Sequence, residues 1–366
     1  MRILQIIDSL PDTSGGARFV TNLSKSLKLK GHEVEVLLFN CKKTQFISEL
    51  ESAKIKYHVI GRSDNFVLSI LKIRKAAQII ENFDLCHVHI FPASYFISIA
   101  KKIFNFSQPI VFTEHNAFNR RATNFVFKYI EKFVYKSFNT VVGITPAVKE
   151  FILNNLKVKE EKVKVIINGV DLESVRQCIQ FDRTLLNLKS SDIIVLMAAR
   201  FSKQKDQKTL IKAIELLPEN YKLVLAGDGE NLESCSKYIS NLGIQSKVYL
   251  LGNRKDIYNL MKMSDINVLS SFYEGFGLSI VEAMSIGKPS LGSNVAGMDK
   301  VIDGAGLLFE VGDYKQLAEY IFNLGTDKMY YEKISLRCRE RANMFDLVKM
   351  TESYLDVYCD ALNKNR

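Results

Sequence analysis

Two successive series of short runs, the first β-branched and apolar, each interleaved with helix-like segments, constrain this 366-residue chain more than any other feature. The first series is RILQII, HEVEVLLF, KYHVIG, DLCHVHI, PIVFTEH and TVVGIT; the second is IIVLMAAR, YKLVLAGDGE, KVYLLG, DINVLSS, KPSLGS and AGLLFE. Between strands lie segments such as ARFVTNLSKSLKLKG. There Phe19/Val20, Leu23 and Leu27 recur at three- and four-residue steps, and Gly31 closes the helix. Strand, helix, strand in alternation implies parallel sheets, because a parallel pair needs a crossover long enough to hold a helix. The expected fold class is α/β, with two doubly wound parallel-sheet domains facing a cleft. In such sheets ligands bind beyond the carboxyl ends of the strands.

The alternation breaks at VIINGVDLESVRQC, where Asn168-Gly169 is a turn signal and the residues that follow are polar and irregular. This places an N-terminal domain at 1–167 and a C-terminal domain at 168–345. Residues 346–366 read as a closing helix, with Met350, Tyr354, Leu355 and Tyr358 on one face, expected to pack back on the N-terminal domain. The length suits two domains, each with its own core. No apolar run reaches the ~18–20 residues of a membrane span. The opening MRILQIIDSL reads as a first strand rather than a signal peptide. The six cysteines are scattered with no C-x-x-C pair, so a reducing cytoplasm is the expected compartment. Residues 1–165 hold 25 Lys/Arg against 14 Asp/Glu, and the rest hold 25 against 26. The first half thus carries the whole positive surplus, which points to an anionic partner: a membrane surface, an acidic polymer or a nucleic acid.

Several unusual residues fall just after strands. Gly15-Gly16 precedes the first helix, where bare backbone amides and the helix N-terminus can approach an anion, or where the chain simply turns tightly. In AARFSKQKD, Arg200 and Lys205 can aim two cations at one diphosphate; the competing reading is a solvated basic loop. DINVLSSFYEGFGLSIVEAMSIGKP reads as a strand at Ile266–Leu269, a loop, and a helix starting near Gly277. Glu274 then lies in the loop. Glu282 lies in the helix facing the cleft, with Leu278, Val281 and Met284 toward the core. The Gly275-Phe276-Gly277 backbone can offer amides to a phosphate or a sugar hydroxyl. Amides and cations for a diphosphate, one acid for a ribose and another for a hexose together describe a sugar-nucleotide site.

The Glu274–Glu282 stretch resembles the E-x7-E motif of the retaining glycosyltransferases of family 4, which have the GT-B fold of two Rossmann-like domains. The likeness runs along nearly the whole chain: GGARFVTNLSKSLKLKGHEVEVL, INGVD, AARFSKQKD, LAGDGE and YLLG occur in the family's order. Ala199 and Asp206 stand where glycines are usual, Ala296 replaces the first glycine of a common pair, and Lys300 stands where a Glu is frequent. The resemblance implies an acceptor-binding first domain and a donor-binding second one. It implies that Glu282 binds ribose and that Glu274 binds the transferred sugar. Arg200 and Lys205 would neutralise the diphosphate. Gly16 and the 275–278 segment, including Leu278, would contact the donor, and His115 in TEHN would face the donor sugar. The implied activity is a hexosyltransferase using a nucleotide-diphosphate sugar, UDP-linked by preference. No D-x-D pair stands beside a strand end, so neither metal nor cofactor is expected.

The acceptor is read as a glycan or a lipid-linked sugar. NRRATNFVFKYIEKFVYKSF, residues 119–138, reads as one helix. Lys128, Lys132 and Lys136 line one face and suit an anionic bilayer; Phe125, Tyr129 and Phe133 on the adjacent face are read as core. Of His87 and His89, one is expected in the sheet packing and the other toward the cleft. Glu114 reads either as a substrate contact or as a helix-capping acid. The competing functions are a sugar-nucleotide synthase or phosphorylase, or a non-catalytic sugar-nucleotide-binding protein. A nucleic-acid partner is not expected, since no such motif is present and the second half is neutral.

Overall fold

The computed structural model describes residues 1–12, 14–61, 66–115, 120–124 and 127–365, with 66–70, 120 and 123 described by backbone alone. The chain divides into two compact units, Met1–Gly169 with Leu347–Arg366, and Val170–Asp346.

The first unit carries β1 (Arg2–Ile7), β2 (Glu33–Leu38), β3 (Tyr57–Val59), β4 (Leu85–His89), β5 (Ile110–Glu114), β6 (Thr140–Gly143) and β7 (Val163–Val165). They form one parallel sheet in the order β3-β2-β1-β4-β5-β6-β7. β7 escaped the pattern reading because it is only VKV, too short to show a period. Every residue of β4 and β5 is buried, as a sheet covered on both faces requires. The first helix, Gly15–Leu29, is N-capped by Ser14, whose hydroxyl accepts from the Ala17 amide at 3.2 Å. Such a cap contributes about 1 kcal/mol. Val20, Leu23 and Leu27 are buried, each worth roughly 1.5–3 kcal/mol, and the chain leaves the helix through Gly31 at φ +85°. The closing helix, Leu347–Asn363, belongs to this unit: Met350, Tyr354 and Tyr358 share a core with Phe19, Leu23 and Leu27.

Residues 119–138 do not form one described helix. A single turn, Arg120–Thr123, and a helix, Phe127–Lys136, are described, while Asn119 and Phe125 lie outside the described residues. The expectation for the aromatics is also reversed. Tyr129 is 63% and Phe133 47% exposed, and the buried face holds Glu131, Val134 and Tyr135. Glu131 can turn inward because Arg121 donates to it at 2.8 Å and Tyr95 also donates to it.

The second unit carries β8 (Ile193–Ala198), β9 (Tyr221–Ala226), β10 (Val248–Leu250), β11 (Ile266–Leu269), β12 (Ser290–Ser293) and β13 (Leu307–Phe309). The order is β10-β9-β8-β11-β12-β13, parallel throughout. Strand order therefore reverses between β8 and β11 here, and between β1 and β4 in the first unit. Each reversal opens a crevice at the carboxyl ends, because the neighbouring crossovers run to opposite faces.

Candidate active site

In the second unit the loops after β8, β9 and β11 meet at the reversal. The backbone builds the meeting. Asp206 N donates to Ser270 O at 3.0 Å, Phe272 N to Gln204 O at 2.9 Å, and the Gln204 side chain to Tyr273 O at 3.0 Å. A single antiparallel bridge pairs Lys205 with Ser271. The Lys205 ammonium consequently lies on the Glu274 carboxylate, and both are largely buried. The Arg200 side chain is exposed, while its carbonyl is held by Gln207 Nε2 at 3.0 Å. Asp206, which stands where the family usually has glycine, N-caps the next helix: it accepts from Thr209 N at 3.2 Å and Thr209 Oγ1 at 2.6 Å.

Three glycines make this packing feasible. A Cβ on Gly227 or Gly229 would strike the carbonyl of Ala199 or Phe201, so the GDG run lets the Arg200 loop lie flat on the loop after β9. Gly297, at φ +96°, approaches the backbone so closely that a Cβ would stand 2.6 Å from both the Glu274 and Gly275 carbonyls. Sequence reading missed Gly297, Gly227 and Gly229 as site builders; the signal was the retained glycine of AGMDK and the glycine pair of LAGDGE. It also missed Gln204, which nothing local distinguishes.

The helix after Glu274 runs Leu278–Ser285, with Gly277 as cap at φ +83°. Phe276 is buried edge-on against Phe345, 5.3 Å between ring centres, so it anchors the loop and leaves only backbone for a ligand. Leu278 is half-buried rather than core, whereas Val281 and Met284 are buried. Glu282 differs from its expected open position: it is 1% exposed, and its Oε1 accepts from Tyr258 at 3.3 Å.

The first unit brings other expected residues together. Gly16 lies in the first turn of its helix, where a Cβ would strike the Ile90 side chain. Gly15 opens the same helix. His115 follows β5; its Nε2 lies 3.3 Å from His89 Nδ1 and its ring is edge-on to Phe19 at 4.7 Å. Burial pushes its pKa down to about 3, so the ring is neutral at physiological pH. His87 and His89 do not divide between two faces. Residues two apart on a strand share a face, and both rings are fully buried, 3.9 Å apart. Burial holds both well below the ordinary histidine range. Glu114 is buried and accepts from Tyr135, tying β5 to the helix Phe127–Lys136. Among the described residues no group of three or more His, Cys, Asp or Glu is arranged to hold a metal.

The model of glycosyl transferases group 1 matches residues 179–343, and that of Glycosyltransferase Family 4 matches 13–174. The chain is a family 4 glycosyltransferase. The family resemblance is borne out, and the fold of this glycosyltransferase is GT-B. Among curated relatives it is 29% identical to the UDP-Gal:alpha-D-GlcNAc-diphosphoundecaprenol alpha-1,3-galactosyltransferase of Escherichia coli, over 80% of this chain and 79% of that one. It is 26% identical to the N-acetyl-alpha-D-glucosaminyl L-malate synthase of Bacillus anthracis, over 98% and 97%. Anabaena HepE, solved with UDP and glucose, shares the fold at TM-score 0.86, with 24% identity over 98% of this chain and 99% of that one.

Proposed function

We propose that this glycosyltransferase moves a hexose, with retention and without a metal ion, from a UDP-sugar to a lipid-linked acceptor at an anionic membrane surface, in the synthesis of a cell-surface polysaccharide or glycoconjugate. The observation that carries the donor half is the Lys205–Glu274 ion pair where the loops after β8 and β11 meet, with Arg200 exposed on the first of these loops. Donor binding inserts a diphosphate beside Lys205, which then shares its charge between phosphate and Glu274. Arg200, Lys205 and the amides opening the helix Leu278–Ser285 stabilise the diphosphate as the C1–oxygen bond breaks and the electron pair leaves with it. The acceptor hydroxyl bonds to C1 on the same face, and its proton passes to the departing phosphate oxygen. Glu274 orients the hexose, and Glu282 accepts from the ribose hydroxyls. The name of the Escherichia coli relative supports both a UDP-linked donor and a diphosphoundecaprenol acceptor.

The membrane half rests on the helix Phe127–Lys136. Beside its buried face it carries Lys128, Lys132 and Lys136 on one strip and the exposed Tyr129, Ile130 and Phe133 on the next. A helix with cations flanking exposed apolar groups is suited to lie in a headgroup layer. The placement proposed is peripheral, on the cytoplasmic face. No helix among the described residues is long and apolar enough to cross a membrane.

The test is nucleotide release from UDP-, GDP- and ADP-sugars, each offered a polyprenyl-diphosphate-linked sugar or L-malate. Release from UDP-sugar with the lipid is expected. Release with malate and none with the lipid would overturn the acceptor reading in favour of the chemistry named for the Bacillus anthracis relative. Transfer should survive EDTA; loss restored by magnesium or manganese would overturn the metal-free reading.

A further inference from the structure

Beneath His115 the first unit holds a continuous hydrogen-bonded chain. His115 Nε2 meets His89 Nδ1 at 3.3 Å, and His89 Nε2 meets Gln5 Oε1 at 2.7 Å. Gln5 Nε2 donates to the Tyr358 oxygen at 3.3 Å, Tyr358 meets His87 Nδ1 at 2.7 Å, and His87 Nε2 meets Thr113 Oγ1 at 2.7 Å. Gln5, His87, His89, Thr113 and Tyr358 are all fully buried. Five residues spread over four strands and helices do not line up their donors and acceptors without constraint.

The chain has one polarity. The Gln5 oxygen can only accept, so His89 carries its hydrogen on Nε2 and, being neutral, has a bare Nδ1. That bare nitrogen must receive a hydrogen, so His115 carries its own on Nε2. A neutral His115 then has a bare Nδ1, which makes no hydrogen bond among the described residues. On the far side the direction continues: Gln5 Nε2 donates to Tyr358, Tyr358 donates to His87 Nδ1, and His87 Nε2 donates to Thr113. Reversing any link reverses all of them, because each interior group has one donor and one acceptor in use.

We propose that Gln5 and His89 are positioning residues that lock His115 in the Nε2–H tautomer, leaving Nδ1 to accept from a hydroxyl of the transferred sugar, and that Tyr358 of the closing helix sets the lock. The selectivity that follows is for a hydroxyl over a carboxylate at that point, since a bare nitrogen attracts the one and repels the other. This rests on the reading of His115 as a sugar contact, but the lock itself is measured separately.

The experiment is ¹⁵N spectroscopy of the imidazoles in the full chain, where five histidines make assignment tractable, with His115→Asn identifying the signal. The wild type should show His115 protonated on Nε2 alone. Gln5→Met should convert it to a mixture of tautomers. Tyr358→Phe, which keeps the ring in the core and removes only the hydroxyl, should do so in part. Both variants should lower kcat/KM for sugar transfer, by ~10–100-fold for Gln5→Met, the range for losing a group that orients a site residue. A wild-type His115 protonated on Nδ1, or a His115 signal unchanged in both variants, would overturn the lock. An intact lock together with full transfer by His115→Asn would instead remove His115 from the sugar site.

Discussion

At the strand reversal of the second unit the polar groups carry formal charges: Arg200 is exposed, Lys205 rests on Glu274, and Glu282 is buried and accepts from Tyr258. At the reversal of the first unit they are neutral rings and hydroxyls: His89, His87, Gln5 and Tyr358, all buried, with His115 at the end. All five histidines lie in the first unit and none in the second. The same sheet topology thus supports two chemistries. Ions at the carboxyl ends of β8 and β11 suit a charged leaving group, which brings its own compensation for the cost of partial burial. The neutral network can be sealed completely, because each of its members finds a hydrogen-bond partner inside.

Acid should separate the units most strongly. An unfolded histidine titrates near 6.5, whereas His87, His89 and His115 titrate lower in the folded unit. Above pH 6.5 neither state binds the proton, so these rings contribute no pH dependence. Below it the unfolded chain binds protons that the native unit refuses, and stability falls as pH drops. The loss is roughly 1 kcal/mol per pH unit for each ring, and for His115 it continues to about pH 3. Hydrogen exchange at pH 7 and 5 should show β1, β4 and β5 losing protection ahead of β8 and β11. Equal loss in both units would break the contrast.

The next largest effect concerns the ions. Arg200→Ala or Lys205→Ala should lower kcat by ~10²–10³, the size of losing one electrostatic partner of the transition state. Full activity in steady-state kinetics would remove either residue from the site. The two acids should then separate from one another. Glu282→Ala should weaken UDP and UDP-sugar alike, by ~1.5–3 kcal/mol. Glu274→Ala should leave UDP binding almost intact and depress kcat/KM, because the reacting carbon is no longer positioned. Calorimetric titration of both ligands decides this: if folded Glu274→Ala loses UDP as badly as Glu282→Ala, their roles are not distinct. The smallest effect lies on the basic helix. Each of Lys128→Ala, Lys132→Ala and Lys136→Ala should weaken binding to phosphatidylserine vesicles by ~1 kcal/mol at low salt. Binding that ignores all three would leave the first unit's positive surplus without a membrane role.

Much of the fold was legible because it is locally encoded. Twelve of the thirteen strands announce themselves as short runs in the alternating series, and the helix after Glu274 begins where its left-handed glycine allows. The burial of Glu282 was not legible, because its neighbour Tyr258 is 24 residues away on a different helix. The exposed faces of Tyr129 and Phe133 defeated the hydropathy rule, since Arg121 and Tyr95 drew Glu131 inward and turned the aromatics out.

The sequence by itself determined the strand–helix alternation, the family and the residue types beside each strand end, since periodicity, turn chemistry and motif order are properties of short windows. Tertiary structure alone decided which of those residues meet. Lys205 reaches Glu274 because two loops pair across 69 residues. His87 meets Tyr358 across 271 residues because the closing helix folds back onto the first unit. Such contacts depend on where whole elements pack, and the free energy that sets this is the burial of their apolar faces, spread over many residues and written in no single stretch of chain.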